Sequence, residues 1–335
     1  MHPLATPTPA ETLRVEYRDA PLDALLDDPG LLAVFGFGDH APPAHADPRY
    51  LRVALPAHGA APFECWRVEG EVRHGHADGI AWSEAGGLQF GTLSVVDDRD
   101  AEATAAAAYA RLQAWLAAGR HPHPLRIWNY LDAITEGDGD EERYRRFCVG
   151  RARGIARELA PGELPAATAI GFARRPGRFL LYWLAAARPG HPLENPRQVQ
   201  AWRYPRQYGP QAPGFARALL PASEAMPLLL SGTAAVVGHA SRHGDSLQAQ
   251  LDEVLANLDS LIATARALRP SLPVQPGTGT RLKVYVRDAA DLPLVAWARQ
   301  RPTGFKTPKP ILLVEALPGV SSGKIQKFLL QERFR

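Results

Sequence analysis

The sequence predicts an α/β fold, with mixed sheets carrying helices on one face. Strands and helices alternate β-α-β-α between residues 88 and 159, and residues 228–315 repeat that order. The stretch FGTLSVV at 90–96 is echoed by SGTAAVV at 231–237, each ahead of a helix, which makes it a candidate trace of internal duplication. At 335 residues and 46% hydrophobic composition, the chain is long and apolar enough for one large or two ordinary domains.

Apolar runs bounded by Pro- and His-rich turns place strands at LLAVFGF (31–37), LRVAL (from Leu51) and FECWRVEG (from Phe63), and predict an N-terminal β-meander. LQFGTLSVV (88–96) is a further strand, followed by an Ala-rich helix from Ala101 that Gly119 stops. A strand at 125–131 and a helix at 141–159 follow, the helix ended by Pro161-Gly162. The second half reads as a strand at 228–237, a helix at 246–269, a strand at 281–288, a helix at 289–299 and a strand at 311–315. In the 246–269 helix, Leu247, Leu251, Val254, Leu255, Leu258, Leu261, Ile262 and Leu268 form one stripe, with Asp245 and Gln248 as a capping box. The expected units are an N-terminal extension at 1–30, a first half at 31–175, and a second half at 176–335 whose tail, 302–335, is atypical.

A formal net charge of +3 with 22% charged residues gives no reason to invoke nucleic acid. The first residues lack a basic n-region and an apolar h-region, and no later run approaches the ~20 apolar residues of a membrane span, so a cytoplasmic protein is expected. Cys65 and Cys148 lack metal-ligand spacing and read as reduced, partly buried thiols. His239 and His243 flank a Gly-rich turn without clustered carboxylates, which argues against zinc.

Chemistry concentrates in ENPRQVQAWRYPRQYGPQAPGFARA (194–218), where Arg197, Arg203, Arg206 and Arg217 interleave with Trp202, Tyr204, Tyr208 and Phe215, and Glu194 is the lone acid. Guanidiniums in a Pro-stiffened loop with aromatic walls suit a preformed pocket for a small, flat anion. A salt-bridged surface loop and a single-stranded RNA platform are the alternatives. In IWNYLDAITEGDGDEERYRRFCVGR, Tyr144, Phe147, Cys148 and Arg151 share a helix face, so a phenol and a guanidinium lie on adjacent turns; plain core packing is the competing reading. Ser231, Gly232 and Thr233 allow a close backbone approach to a ligand. Glu315, at the end of an apolar run, is a candidate general acid if half-buried and an ordinary surface carboxylate if not.

RIWNYLDAI with ERYRRFCVGR, ENPRQVQAWRYPRQYGP with GFARA, and LSGTAAVVGHASRHGD, in that order, resemble the chorismatase family over about residues 30–298, and its hydroxybenzoate-forming bacterial members above all. The resemblance implies two RidA/YjgF-like α+β halves with chorismate bound between them, and no metal or cofactor. It implies that Arg151 and Arg217 hold carboxylates, that Tyr130, Tyr144 and Tyr204 position the ring, and that Ala234 lies under it at a position tied to product choice. A buried glutamate protonates the enolpyruvyl methylene, pyruvate leaves, and 3-hydroxybenzoate or 4-hydroxybenzoate follows; by the same resemblance these acids feed pigment or ubiquinone synthesis. The other readings are a chorismate-binding protein without catalysis and a RidA-like imine deaminase. The oligomeric state stays open, a monomer included.

The last stretch, TGFKTPKPILLVEALPGVSSGKIQKFLLQERFR, instead resembles the C-terminal motif of AMP-forming acyl-CoA ligases, whose catalytic lysine would be Lys324. Neither a phosphate-binding loop nor an adenylating core accompanies it, so adenylation by this chain alone is not expected. LLVE at Leu312–Glu315 matches the chorismatase final strand, but Pro308 stands where that family has Cys. Glu315 therefore reads either as the catalytic acid or as part of a replaced tail.

Overall fold

The structure is a computed structural model that describes residues 11–57, 62–172, 177–277, 279–291 and 311–313. Most of the expected 289–299 helix, and the tail with Pro308, Glu315 and Lys324, lie outside the described residues.

The N-terminal part begins with β1 (Arg14–Arg18), α1 (Leu22–Leu26), β2 (Leu31–Phe37), β3 (Tyr50–Val53) and β4 (Phe63–Arg67), which form a sheet of order β1-β4-β2-β3. This corrects the meander, because β2 pairs parallel with β3 and antiparallel with β4. The physical reason is that LLAVFGF is buried at every position, so it takes an interior place rather than the start of a hairpin series. β1, placed by the sequence in the extension, pairs along its length with β4.

A six-stranded sheet of order β5-β6-β7-β10-β8-β9 follows, made of β5 (Arg73–Ala77), β6 (Ile80–Ala85), β7 (Leu88–Val96), β8 (His123–Leu131), β9 (Ala166–Gly171) and β10 (Arg178–Ala186). α2 (Ala101–Ala118) and α3 (Arg143–Ile155) connect its strands. β10, absent from the sequence reading, pairs antiparallel with both β7 and β8, so this sheet extends past residue 175. Its residues alternate between two cores. Leu180, Tyr182 and Leu184 join Phe35, Trp66, Phe90, Trp128 and Tyr130 between the two sheets, while Phe179, Leu181 and Trp183 join Ile127, Tyr109, Leu112 and Phe147 under the helices.

α2 begins at Asp100, whose carboxylate accepts the N–H groups of Glu102 (3.1 Å) and Ala103 (3.0 Å). α3 runs to Ile155 and stops at Ala156, which sits in the left-handed region at φ 57°. It is thus shorter than the expected 141–159, because the left-handed turn ends it before Pro161. Gly150 and Gly154 lie where α3 crosses α2, and a Cβ at either would overlap the carbonyl oxygen of Glu102 or Ala106. The two helix backbones therefore touch, which fixes the height of the next residue, Arg151. Gly150→Ala is expected to cost about 1–3 kcal/mol through overpacking, a drop of several degrees in Tm. Calorimetry checks this; an unchanged Tm would mean the helices separate freely.

The remaining chain forms a three-stranded sheet, β11 (His191–Leu193), β12 (Ala218–Leu220) and β13 (Leu229–Leu230), then the β14 (Val236–Val237) and β15 (Ala240–Ser241) hairpin. After α4 (Leu247–Leu268), β16 (Val284–Val286) pairs parallel with β17 (Ile311–Leu313). The expected 228–237 strand is instead β13 and β14: Ser231 N–H still donates to the Arg217 carbonyl (3.0 Å), but Gly232 N–H turns to the Ala167 carbonyl of β9 (3.1 Å), and the Ser231 hydroxyl donates to the Ala216 carbonyl (2.5 Å) and accepts from Ala167 N–H (2.9 Å). FGTLSVV lies wholly in β7, whereas SGTAAVV does not form a matching strand, so the echo has no structural counterpart. α4 is capped by Ser246, which accepts from Ala249 N–H (3.3 Å), in place of the Asp245 box. Leu261 and Ala265 of α4 pack on Leu193, Ala218 and Leu220. Among the described residues no helix is long and apolar enough to cross a membrane.

Candidate active site

α3 supplies Tyr144, Cys148 and Arg151 from one face. Arg151 is 6% exposed, and its Nε and Nη2 have no hydrogen-bond partner. Its guanidinium lies 5.2 Å from the Tyr109 ring centroid, and the Tyr109 hydroxyl donates to Asn129 Oδ1 (2.9 Å). Burial, then the neighbouring Cys148, holds the Tyr144 phenol well above its ordinary pKa, and burial pushes the Cys148 thiol to about 12. Near neutrality both are therefore uncharged.

The 194–217 loop folds against this face through short 3₁₀ turns at Ala201–Arg203 and Arg206–Tyr208. Its arginines divide by task. Arg206 forks onto Asp140 (2.9 and 2.5 Å), and Arg197 pairs with Glu253 and donates to Asn257 Oδ1 (3.0 Å). Arg203 lies over Trp202 at 5.1 Å. Arg217 is 7% exposed; its Nη2 donates to the Val199 carbonyl (2.7 Å) and the Tyr204 hydroxyl (2.8 Å), while Nε has no partner. The Arg217 guanidinium stands 5.4 Å from the Tyr204 ring and 5.3 Å from Phe215.

The two parts meet. Phe215 and Tyr144 pack against the same core, Tyr204 acts electrostatically on Tyr144, and Gly214 passes so near Arg151 that a Cβ there would lie 3.3 Å from Nη1. Arg151 and Arg217, each buried with unpartnered N–H groups and bordered by the Tyr144 and Tyr204 phenols, have the charge and the free donors that an anion would need. Glu194 adjoins Arg217: burial raises its carboxyl to about 7 against the lowering pull of that guanidinium, and its Oε2 is buried without a partner. The sequence marked Glu194 only as the lone acid of the loop.

Three expected site residues lie apart from this cluster or beyond view. Tyr130 is fully buried between the sheets, stacked on Tyr182 (5.9 Å) with its hydroxyl 3.1 Å from that of Tyr285. Strand alternation puts it on the opposite side of β8 from Asn129 and Tyr109. Ala234 is exposed in the segment after β13, and its carbonyl accepts from Asn257 Nδ2 (3.1 Å). Glu315 lies outside the described residues. His239 receives or donates a hydrogen bond with the Tyr208 hydroxyl (2.8 Å), His243 pairs with Glu253 (3.3 Å), and no His/Cys/Asp/Glu cluster fit for a metal occurs among the described residues. Sequence reasoning also missed a buried pair under β8, Lys283 Nζ to Glu64 Oε1 at 3.0 Å, ringed by Phe35, Phe37 and Trp128. No local pattern announces it, since its members lie in distant parts of the chain.

Comparison with known proteins places this architecture. Residues 64–185 match the family described as "Chorismatase FkbO/Hyg5-like, N-terminal". A 3-hydroxybenzoate synthase of Streptomyces hygroscopicus is 37% identical over 257 residues, covering 73% of this chain and 75% of that protein. The chain belongs to the chorismatase family. A second chorismatase, from Streptomyces rapamycinicus, is 35% identical over 241 residues, covering 69% of this chain and 71% of its own length. A chorismatase crystal structure superposes with a TM-score of 0.76 at 28% identity, covering 93% of this chain and 96% of the other. The mixed α/β build with several sheets and few helices is thus the chorismatase build.

Proposed function

We propose that this chorismatase-family enzyme converts chorismate to pyruvate and 3-hydroxybenzoate, 4-hydroxybenzoate or both. The observation that carries this reading is the pair Arg151 and Arg217, each buried and each with an unpartnered N–H. Chorismate has two carboxylates on a flat ring, so two separated guanidiniums with aromatic walls match its charge and shape. Tyr144 and Tyr204 border the ring with their hydroxyls, and Ala234 leaves room at a position that bears on product choice. Tyr130 acts from the core side of β8, as support rather than contact.

Chemistry begins when a carboxylic acid, assigned to Glu315, protonates the enolpyruvyl methylene. The resulting oxocarbenium centre is captured by water or by the substrate's own hydroxyl, the ether bond breaks, and pyruvate leaves. Where water has added, its loss from the ring restores the balance and gives the aromatic acid. A site that excludes water and holds both carboxylates stabilises this charge and orients the ether. The reading takes the protein as cytoplasmic and cofactor-free, with two RidA/YjgF-like halves, the second carrying the atypical tail.

Purified protein incubated with chorismate should release pyruvate and a hydroxybenzoate in equal amounts, resolved by chromatography. Pyruvate at only the spontaneous rate would sink the reading. If chorismate binds without turnover, the protein is a binding member of the family, a reading favoured by Pro308 in place of the family Cys.

A further inference from the structure

Glu194 takes no part in the steps above, yet it is the group nearest in kind to the ligand: a carboxyl beside Arg217. We propose that Glu194 is a proton-controlled counter-charge, which leaves Arg217 to the substrate carboxylate when protonated and competes for Arg217 when ionised; this role rests on the reading of Arg217 as a carboxylate anchor.

The strand register supports the placement. β11 and β12 pair His191 with Leu220, Pro192 with Leu219 and Leu193 with Ala218, and one further step sets Glu194 opposite Arg217. Directly opposed residues of an antiparallel pair project from the same face. Leu193, Ala218 and Leu220 all pack toward α4, so Glu194 and Arg217 fall on the other side, toward the ligand cluster. Each keeps an unpartnered buried atom there, Oε2 of Glu194 and Nε of Arg217, while Arg217 Nη2 is already committed to Val199 and Tyr204.

The elements against β11 are β12, α4 and the Pro161–Glu163 turn. Their charged groups, with the partners that hold them, are Glu163 with Arg157, and on α4 Asp252, Glu253 with Arg197 and His243, Asp259, and Arg266, whose Nη1 donates to the Leu272 carbonyl. Arg217 acts on the Glu194 carboxyl twice, through its guanidinium charge and through its backbone N–H, which donates to the carboxylate, and both oppose the upward push of burial. A substrate carboxylate on Arg217 adds a negative charge beside Glu194, so binding favours the protonated acid, and by reciprocity protonation favours binding.

The sign follows from a carboxyl that titrates at about 7. Below that pH Glu194 is neutral and Arg217 carries uncompensated charge; above it the two compensate and the anion is held less tightly. Both chorismate carboxylates stay ionised throughout, so the substrate adds no slope of its own. The Kd for chorismate is expected to rise about five- to tenfold from pH 6 to pH 8.5. Binding near pH 7 should take up a fraction of a proton, seen as a calorimetric enthalpy that varies with the ionisation enthalpy of the buffer.

Glu194→Gln, which keeps the shape and removes the titration, should hold the pH 6 affinity up to pH 8.5 and abolish the proton uptake. A pH-independent Kd in the parent, or the parent's slope persisting in the variant, overturns the role. So does a variant that binds normally but loses kcat, since Glu194 would then be a proton donor. Arg217→Gln, measured at pH 6, tests the underlying reading separately: undiminished chorismate binding would remove Arg217 as the anchor, whatever Glu194 does. Proton uptake by the parent needs no variant, so a misfolded Glu194→Gln does not rescue the idea.

Discussion

Arg151→Gln is expected to lower kcat/KM for chorismate by about two to three orders of magnitude while leaving the fold as stable as the parent or more so. Truncating one partner of a buried charge pair costs about 2–5 kcal/mol, and in the liganded enzyme Arg151 would be such a partner. In the free protein it is an expense instead, a guanidinium 6% exposed with Nε and Nη2 unpartnered, compensated by the face of Tyr109. Removing a buried charge that has no counter-ion relieves desolvation, so Tm should hold steady or rise by a few degrees. Steady-state kinetics with scanning calorimetry gives both signs at once. A fall in activity with a matching fall in Tm would make Arg151 a structural residue and would weaken the case for its pairing with a substrate carboxylate.

The same contrast between local pattern and tertiary context explains what the sequence revealed. LLAVFGF and LQFGTLSVV were legible as strands because each is a long, unbroken apolar segment, and the periodic α4 stripe was legible as a helix, although only Leu258, Leu261 and Ile262 of it are buried and Leu268 is 55% exposed. β10 escaped although RFLLYWLAA is just such a run, and its position between β7 and β8 depends on pairings 50 to 98 residues away along the chain. Residues 228–237 read as one strand because two apolar pieces adjoin; the break comes where Gly232 N–H turns to the Ala167 carbonyl and the Ser231 hydroxyl joins Ala216 and Ala167, which no window centred on Ser231 contains. The Arg and aromatic loop announced an anion by composition alone. Which of its guanidiniums are free for one did not, because Arg197 and Arg206 are claimed by Glu253 and Asp140, 56 and 66 residues away. Tyr130, named only by the family resemblance, lies by strand alternation in the core between the sheets, a placement that depends on tertiary packing and not on its neighbours in sequence.

Glu315→Gln carries the second large effect, an expected fall in turnover of about two orders of magnitude or more with chorismate affinity nearly intact. Glutamine preserves the shape and hydrogen-bonding reach of the acid but cannot deliver a proton to the enolpyruvyl methylene. On the proposed reading Arg151 and Arg217, not Glu315, grip the anion, so Kd and kcat should separate cleanly. That separation distinguishes the acid from the anchors: an anchor variant loses affinity first, an acid variant loses only the chemical step. Glu194 falls in a third class, since its substitution should change how Kd depends on pH rather than the turnover of bound substrate. Single-turnover pyruvate release at saturating chorismate, measured beside equilibrium binding for the parent and the Glu315→Gln protein, isolates the step. Unchanged turnover would move the proton donor elsewhere and leave LLVE at Leu312–Glu315 as part of a tail with a different history, in keeping with Pro308 before it and the ligase-like LPGVSSGKI that follows.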